Sequence, residues 1–354
     1  MKKILFIDVY CPNGHINLNK NFINQFNNLG YELDFVLKKG YNNNIGINED
    51  SLIWSVPNFF YKGKSPIVVR FNLFIMLLLL RSKVNTRKYD YVFFSSYDEI
   101  SLWFSGFSGN FILVNHSNIV GLENPLKRFF IKKLAKSSIN IVFADFIKVA
   151  AEKYGLENLK VQQIGLSNAY YIDRKKQQQI LLGISEKLIN KDLNAIIFVP
   201  TGQKYGDSFI KKIIDSTIFT KFLQREKILL VIKDKNIESS NENILVLKTY
   251  ISNEEYQSLF LASTLILLSY PKSFKYRISA VLFESFSSKK ACLLSEIEGF
   301  TSYSNYFNYN PFYSDIESLI SRIEDYFIHI NNPSNKPYKN LENLNQNFSK
   351  LFIN

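Results

Sequence analysis

Short apolar runs alternate with longer amphipathic segments along this chain, and the whole alternation occurs twice. In the first half, "KILFIDVY" leads through a Gly-His turn into "NLNKNFINQFNNLG", whose apolar spacing and terminal Gly30 predict a helix and its cap. The strand "YELDFVL" follows, then an apolar helix around Leu73 to Leu80, the strands "YDYVFFSS" and "NFILVNHS", a basic helix and "SINIVFA". A second series starts at "NAIIFVPTG". It runs through a helix over 208–222, "KILLVIKD", "NILVLKTYI", a helix over 253–263, "TLILLSYP", a further helix and "ACLLSE". Strands regularly separated by helices are the signature of parallel α/β architecture. The fold class is therefore α/β, with two Rossmann-like domains facing each other across a cleft. A chain of 354 residues, 46% apolar, is long enough for two cores. The pattern loses its strands around Tyr171 to Asp192. This puts an N-terminal domain at 1–172, a linker at 173–191, a second domain at 192–335 and a helical tail at 336–354 that returns to the first domain.

Composition narrows the setting. Cys11 and Cys292 lie far apart and fit neither a disulfide framework nor a cysteine metal site, which points to a reducing, cytoplasmic compartment. The opening "MKKILFIDVYCPNGH" has a short apolar run that a Pro-Asn-Gly turn breaks, so it reads as a first strand and not as a signal peptide. The apolar window Leu73 to Leu80 is about half of the ~20 residues needed to span a bilayer and reads as a buried helix. The formal charge is +12. In "NPLKRFFIKKLAKSS", Lys127, Arg128, Lys132, Lys133 and Lys136 cluster on one side of a helical projection. Leu126, Phe130, Ile131 and Leu134 fall largely on the other. Such a basic amphipathic helix is either a solvated surface helix or a membrane-surface element on the inner face of the cytoplasmic membrane. No nucleic-acid module signature accompanies the charge, so nucleic acid is not an expected partner.

The stretch "YRISAVLFESFSSKKACLLSE" places Glu284 inside an otherwise apolar helix, beside Ala280, Val281, Leu282 and Phe283. With so little polar face around it, the carboxylate reads as a site residue more readily than as a solvated one. The run from "NILVLKTYISNEEYQSLFLASTLILLSYP" through "ACLLSE" resembles the donor-binding domain of GT-B glycosyltransferases, especially retaining nucleotide-sugar enzymes of the family 4 type. The likeness is close over about 243–296 and topological elsewhere. It implies that Glu284 accepts hydrogen bonds from the donor ribose. An ionised carboxylate is acceptor-only and can receive both hydroxyls of a ribose edge.

The resemblance implies further positions. Where the family commonly carries a second glutamate facing the transferred sugar, this chain has Tyr276, so the glutamate pair is absent. Arg277 and Ser279 occupy the loop that approaches the diphosphate; an arginine can neutralise it bidentately and a serine can add a donor. After the first strand of the donor domain, Gly202 and Lys204 stand in the turn where a basic pair is expected. Lys233, at a strand end, is another phosphate candidate. In the first domain, Gly14 and His15 sit in the turn after the first strand, an acceptor-side loop. His116 ends "NFILVNHS", where family members often have a histidine near the donor sugar. His15 and His116 are the candidate catalytic residues; the plain alternative is that each satisfies a loop. Asp98, Glu99 and Asp145 also follow strands and would supply a base to an inverting enzyme. His329 reads as structural. Neither an Asp-x-Asp element in a suitable strand context nor a Cys/His cluster appears, so no metal and no cofactor are expected. The implied activity is transfer of a sugar from a nucleotide-sugar to a saccharide or lipid-linked saccharide in surface polysaccharide biosynthesis, with retention. A nucleotide-sugar epimerase and a non-catalytic partner subunit are the alternatives on the same plan.

Overall fold

The structure, a computed structural model, describes residues 2–10, 15–63, 65–116, 118–166, 169–190, 192–200, 208–248, 251–330 and 335–344. The chain divides into two compact units, Met1–Gly165 and Leu166–Leu344.

The first unit holds β1 (Lys3–Asp8), α1 (Ile16–Asn28), β2 (Glu32–Lys38), α2 (Tyr41–Ile45), β3 (Leu52–Val56), α3 (Pro66–Lys83) and β4 (Tyr91–Ser96). It continues with α4 (Glu99–Phe104), β5 (Phe111–Val114), α5 (Asn118–Gly121), α6 (Pro125–Ala135), β6 (Ser138–Val142), α7 (Asp145–Lys153) and β7 (Leu159–Val161). Its sheet has the order β3-β2-β1-β4-β5-β6-β7, with every pairing parallel. The β1 run is apolar at consecutive positions because both of its faces are covered: Ile4 to Asp8 are all buried. Gly30 closes α1 as the sequence predicts. At φ +76 it donates to Asn27 O, while Tyr31 N reaches Phe26 O at 3.1 Å, a Schellman closure that a left-handed glycine permits.

The second unit holds α8 (Arg174–Ile184), β8 (Ala195–Val199), α9 (Ser208–Asp215), α10 (Thr217–Arg225), β9 (Ile228–Lys233), β10 (Ile244–Leu247) and α11 (Asn253–Ala262). Then come β11 (Leu265–Leu268), α12 (Ala280–Ser287), β12 (Cys292–Ser295), α13 (Glu298–Thr301), β13 (Phe312–Tyr313) and α14 (Ile316–Ile330). The sheet order is β10-β9-β8-β11-β12-β13, again all parallel. The helix expected over 208–222 is two helices. Ser216 breaks it by capping α10, its Oγ accepting from Phe219 N. Residues 173–191, read from the sequence as a linker, are helical over Arg174–Ile184. Asp173 caps that helix, and Gln177 Nε2 donates to Ser258 O of α11 at 3.1 Å.

Each sheet reverses its strand order once, at β1/β4 and at β8/β11. In open parallel sheets the crevice beyond the carboxyl ends of such strands is where ligands bind. Among the described residues no helix is long and apolar enough to cross a membrane.

Candidate active site

In the second unit the candidate residues lie on the loop that leaves β11 and on α12. Tyr270, two residues past the strand, is pinned by a reciprocal pair: its N donates to Ser295 Oγ and its O accepts from the same hydroxyl, both at 3.0 Å. Its ring stacks on Phe274 and Phe300, with centroids 4.3 and 5.3 Å apart. This aromatic stack sets the path of Lys272–Arg277. Gly299 completes it, because a Cβ there would lie 2.8 Å from the Arg277 carbonyl oxygen. Arg277 is half-buried with its guanidinium over the Phe274 ring at 5.6 Å, and Tyr276 lies under the Lys275 ammonium at 4.7 Å. Ser279 is the N-cap of α12. Its buried Oγ accepts from Leu282 N and lies 3.3 Å from the Tyr270 hydroxyl, so this side chain closes the helix start. The amides of Ala280 and Val281 have no acceptor among the described residues, which leaves two donors and the positive end of the helix at this position.

Glu284 is half-buried on α12 and does not face open solvent. Its Oε2 accepts from the Tyr256 hydroxyl at 2.8 Å, and Tyr170, whose ring meets the Tyr256 ring edge-on at 6.3 Å, stands nearby. Burial raises the Glu284 pKa, and the neighbouring phenols of Tyr256 and Tyr170 act against that rise. Burial, followed by the Glu284 charge, holds both tyrosines protonated and able to donate. Lys233, half-buried at the end of β9, has its ammonium 5.9 Å from the Tyr256 ring centroid, and burial lowers its pKa. Tyr256 and Tyr170 escaped the sequence reading. A tyrosine in "NEEYQSLF" looks like an ordinary core residue, and its partner is supplied only by the fold. Gly202 and Lys204 lie outside the described residues.

In the first unit, His15 and His116 come together. Their rings stack with centroids 4.1 Å apart at 14°. His15 opens α1 in the left-handed region at φ 59, and burial pushes its pKa down to about 4, so it is neutral at physiological pH. Its Nδ1 is buried without a hydrogen-bond partner among the described residues. His116 Nε2 lies 2.7 Å from Ser95 O, and the ring packs on Phe143. Gly14 lies outside the described residues. Asp98 caps α4 through Ser101 N at 2.9 Å and pairs with Arg70 Nε at 3.1 Å. Glu99 accepts from Asn118 Nδ2 at 2.9 Å and pairs with Lys127 Nζ at 3.3 Å. Both carboxylates are buried and engaged, whereas Asp145, in the first turn of α7, is exposed. A further carboxylate, Asp8, was missed. Fully buried at the end of β1, it accepts from Ser96 Oγ and Asn19 Nδ2, each at 2.6 Å, and so ties together the two strands of the switch point. His329 is half-buried against Tyr309 and Tyr326.

The basic helix is α6. Phe130, Ile131, Leu134 and Ala135 are buried, but Leu126, expected on the inner side, is 62% exposed. Arg128 donates to Leu122 O at 2.6 Å and stacks on Tyr154, and Lys127 is held by Glu99. Lys133 and Lys136 are exposed, and Lys132 is half-buried.

Solved structures with the same arrangement of elements span nearly the whole chain. A glycosyltransferase from Rickettsia africae superposes with a TM-score of 0.65 at 12% identity, covering 97% of this chain and 92% of its own. The chain has the GT-B fold. Anabaena HepE, solved with UDP-glucose, gives a TM-score of 0.62 at 11% identity over 99% of both chains. A Listeria monocytogenes protein assigned as a UDP-N-acetylglucosamine 2-epimerase gives 0.57 at 11% identity, over 98% of this chain and 94% of its own. No protein-family model and no curated protein matches the sequence. The GT-B likeness therefore rests on three-dimensional structure, and the expectation of two Rossmann-like units drawn from strand and helix alternation is met in both sheets.

Proposed function

We propose that this protein is a glycosyltransferase that moves a sugar from a nucleotide-sugar to a saccharide or lipid-linked saccharide acceptor in surface polysaccharide biosynthesis. The observation that carries the reading is Glu284, a carboxylate kept half-buried in an apolar helix at the carboxyl edge of the second sheet, with the Tyr256 phenol donating to it. HepE, of the same fold, was solved with UDP-glucose and with UDP and glucose, which supports a uridine nucleotide as the first donor to test.

The roles divide by unit. In the second, Glu284 receives the ribose hydroxyls, and Tyr256 fixes which carboxylate oxygen remains for them. The leaving diphosphate meets Arg277 and the Ala280 and Val281 amides. These donors are fixed before the reaction and face the charge that grows as the glycosidic bond to the diphosphate breaks. Ser279 acts by holding that helix start. Tyr276 stands by the transferred sugar. In the first unit, neutral His15 braces His116, which lies at the reacting sugar. This arrangement supplies its positive charge from the chain itself, so transfer is metal-independent; the retaining outcome is the one that the resemblance to family 4 type enzymes implies. Lys132, Lys133 and Lys136 hold the enzyme on the inner, anionic face of the cytoplasmic membrane, next to a lipid-linked acceptor. A nucleotide-sugar epimerase is the second reading, favoured by the likeness to the Listeria protein. Donor turnover that needs an added acceptor and persists in a chelator supports the transferase. Sugar inversion without acceptor supports the epimerase, and absence of any nucleotide binding supports a non-catalytic subunit.

A further inference from the structure

Helices α3, α4 and α6 lie side by side as one layer on a single face of the first sheet. Arg70 of α3 pairs with Asp98 at the start of α4, the Ser101 hydroxyl of α4 donates to Arg70 O, and Phe104 of α4 packs on Phe130 of α6 at 5.3 Å. The inner side of the layer is core: Leu73, Met76, Leu77 and Leu80 of α3, Leu102 of α4 and Leu134 of α6 pack with Leu5, Ile7 and Val92 of the strands. The outer side is also apolar. Ile67 is 78% exposed, Phe71 60%, Phe104 61% and Leu126 62%, with Trp103 and Phe129 exposed beside them. A run of large exposed apolar side chains over three adjacent helices marks an interaction surface.

Charge decides what that surface meets. The three helices carry Arg70, Arg81, Lys83, Lys127, Arg128, Lys132 and Lys133, while the acids on them and at the start of α4 are Glu99 and Asp98, both buried and paired, with Lys127 and Arg70. A second copy of this chain would bring like charges together across a self-interface with no exposed acid on these helices to answer them. An anionic lipid leaflet answers both properties, since headgroups take the cations and the acyl boundary takes the aromatic and aliphatic tips. We propose that the outer face of the α3–α4–α6 layer inserts into an anionic leaflet through Ile67, Phe71, Trp103, Phe104, Leu126 and Phe129. Electrostatic contact by the lysines of α6 is then only the first stage of binding. The inference rests on the membrane reading of the proposed function and adds insertion to it.

The chain has two tryptophans. Trp54→Phe therefore leaves Trp103 as the sole reporter on the layer. Full-length protein is mixed with vesicles of equal parts phosphatidylglycerol and phosphatidylcholine, or of phosphatidylcholine alone, and followed by Trp103 emission, quenching by bromolipid and sedimentation. The expected result is a blue shift and quenching on the anionic vesicles. Phe71→Ser/Phe104→Ser/Phe129→Ser should weaken partitioning by roughly tenfold or more while the circular-dichroism melt falls by only a few degrees, because these side chains are largely exposed and Phe104 and Phe129 give up little beyond their ring contacts with Phe130. Salt-sensitive sedimentation with an unmoved Trp103 spectrum and a wild-type-like triple variant would overturn insertion while leaving the membrane reading standing. No sedimentation of the wild type on either vesicle removes the membrane reading itself. A concentration-dependent dimer that the triple variant abolishes and lipid does not dissociate assigns the face to a second copy and overturns the proposal.

Discussion

Glu284→Ala deletes a half-buried carboxylate whose Oε2 accepts from the Tyr256 hydroxyl at 2.8 Å. If the remaining lone pairs receive the donor ribose, the variant forfeits at least one hydrogen bond to a charged acceptor, about 1.5–3 kcal/mol. The dissociation constant for UDP then rises roughly 10- to 150-fold. Two opposing effects act on the fold. The Tyr256 hydroxyl loses its acceptor, about 1–3 kcal/mol against stability. The desolvation that raises the Glu284 pKa disappears with the charge. The unliganded melting temperature should therefore move by only a few degrees, at about 2–4 °C per kcal/mol for a unit of this size. Calorimetric titration of wild type and variant with UDP and with its 2′,3′-dideoxy analogue isolates the ribose. The substitution should cost affinity for UDP and little for the analogue. An equal loss for both ligands, or an unchanged UDP constant with a normal melt, refutes the assignment.

The same carboxylate sets a pH dependence. Its pKa is raised, so the affinity advantage of wild type over Glu284→Ala should be full above that pKa and vanish as pH falls through it, at a higher pH than an exposed glutamate would give; calorimetry across pH measures it. His116→Ala should lower kcat well beyond its effect on UDP affinity, since UDP lacks the sugar; comparable losses in both would place the histidine in nucleotide binding or in the fold. His15 binds its proton less tightly when folded, at about 4, than the ordinary 6.5 of an unfolded chain. It thus contributes stability that is full above pH 6.5 and lost as pH falls towards 4, and melting curves of His15→Asn, which tolerates the left-handed backbone, should be flatter over that window. Gly299→Ala should displace the Arg277 carbonyl and weaken UDP binding with less effect on the global melt, measured by calorimetry and circular dichroism.

The parallel sheets were legible because buried strands read as unbroken apolar runs and each helix carries its own period. Glu284 was legible for a related reason: a charge in an apolar helix breaks that period, and it proved to be half-buried. The partner of Glu284 was not, because the hydrogen bond from Tyr256 on α11, and the placing of Tyr170 beside that ring, depend on how separate elements pack. The layer face carried a misleading signal. A helical projection of α6 places Leu126 with Phe130 and Ile131, yet the stripe that meets the sheet is Phe130, Ile131, Leu134 and Ala135. A projection gives the direction of each side chain around the axis, but not how far along the helix the covering layer extends. Similarly, the stacking of His15 on His116 could not be read from two histidines at separate strand ends; only the shared sheet edge brings the rings to 4.1 Å.

The strand order has a consequence for synthesis. β1, made before the other strands of its sheet, ends up inside it with β2 on one edge and β4 on the other. Until translation has passed Ser96, one edge of Ile4–Ile7 has no native partner. At ~5–20 residues per second this lasts on the order of ten seconds. An unpaired apolar edge is a template for illegitimate pairing with other nascent chains. The second unit repeats the arrangement, with β8 waiting for β11. Slowed elongation before β4 or before β11 would prolong the two most vulnerable intervals in the life of this polypeptide, and the yield of native protein should respond to the codons there.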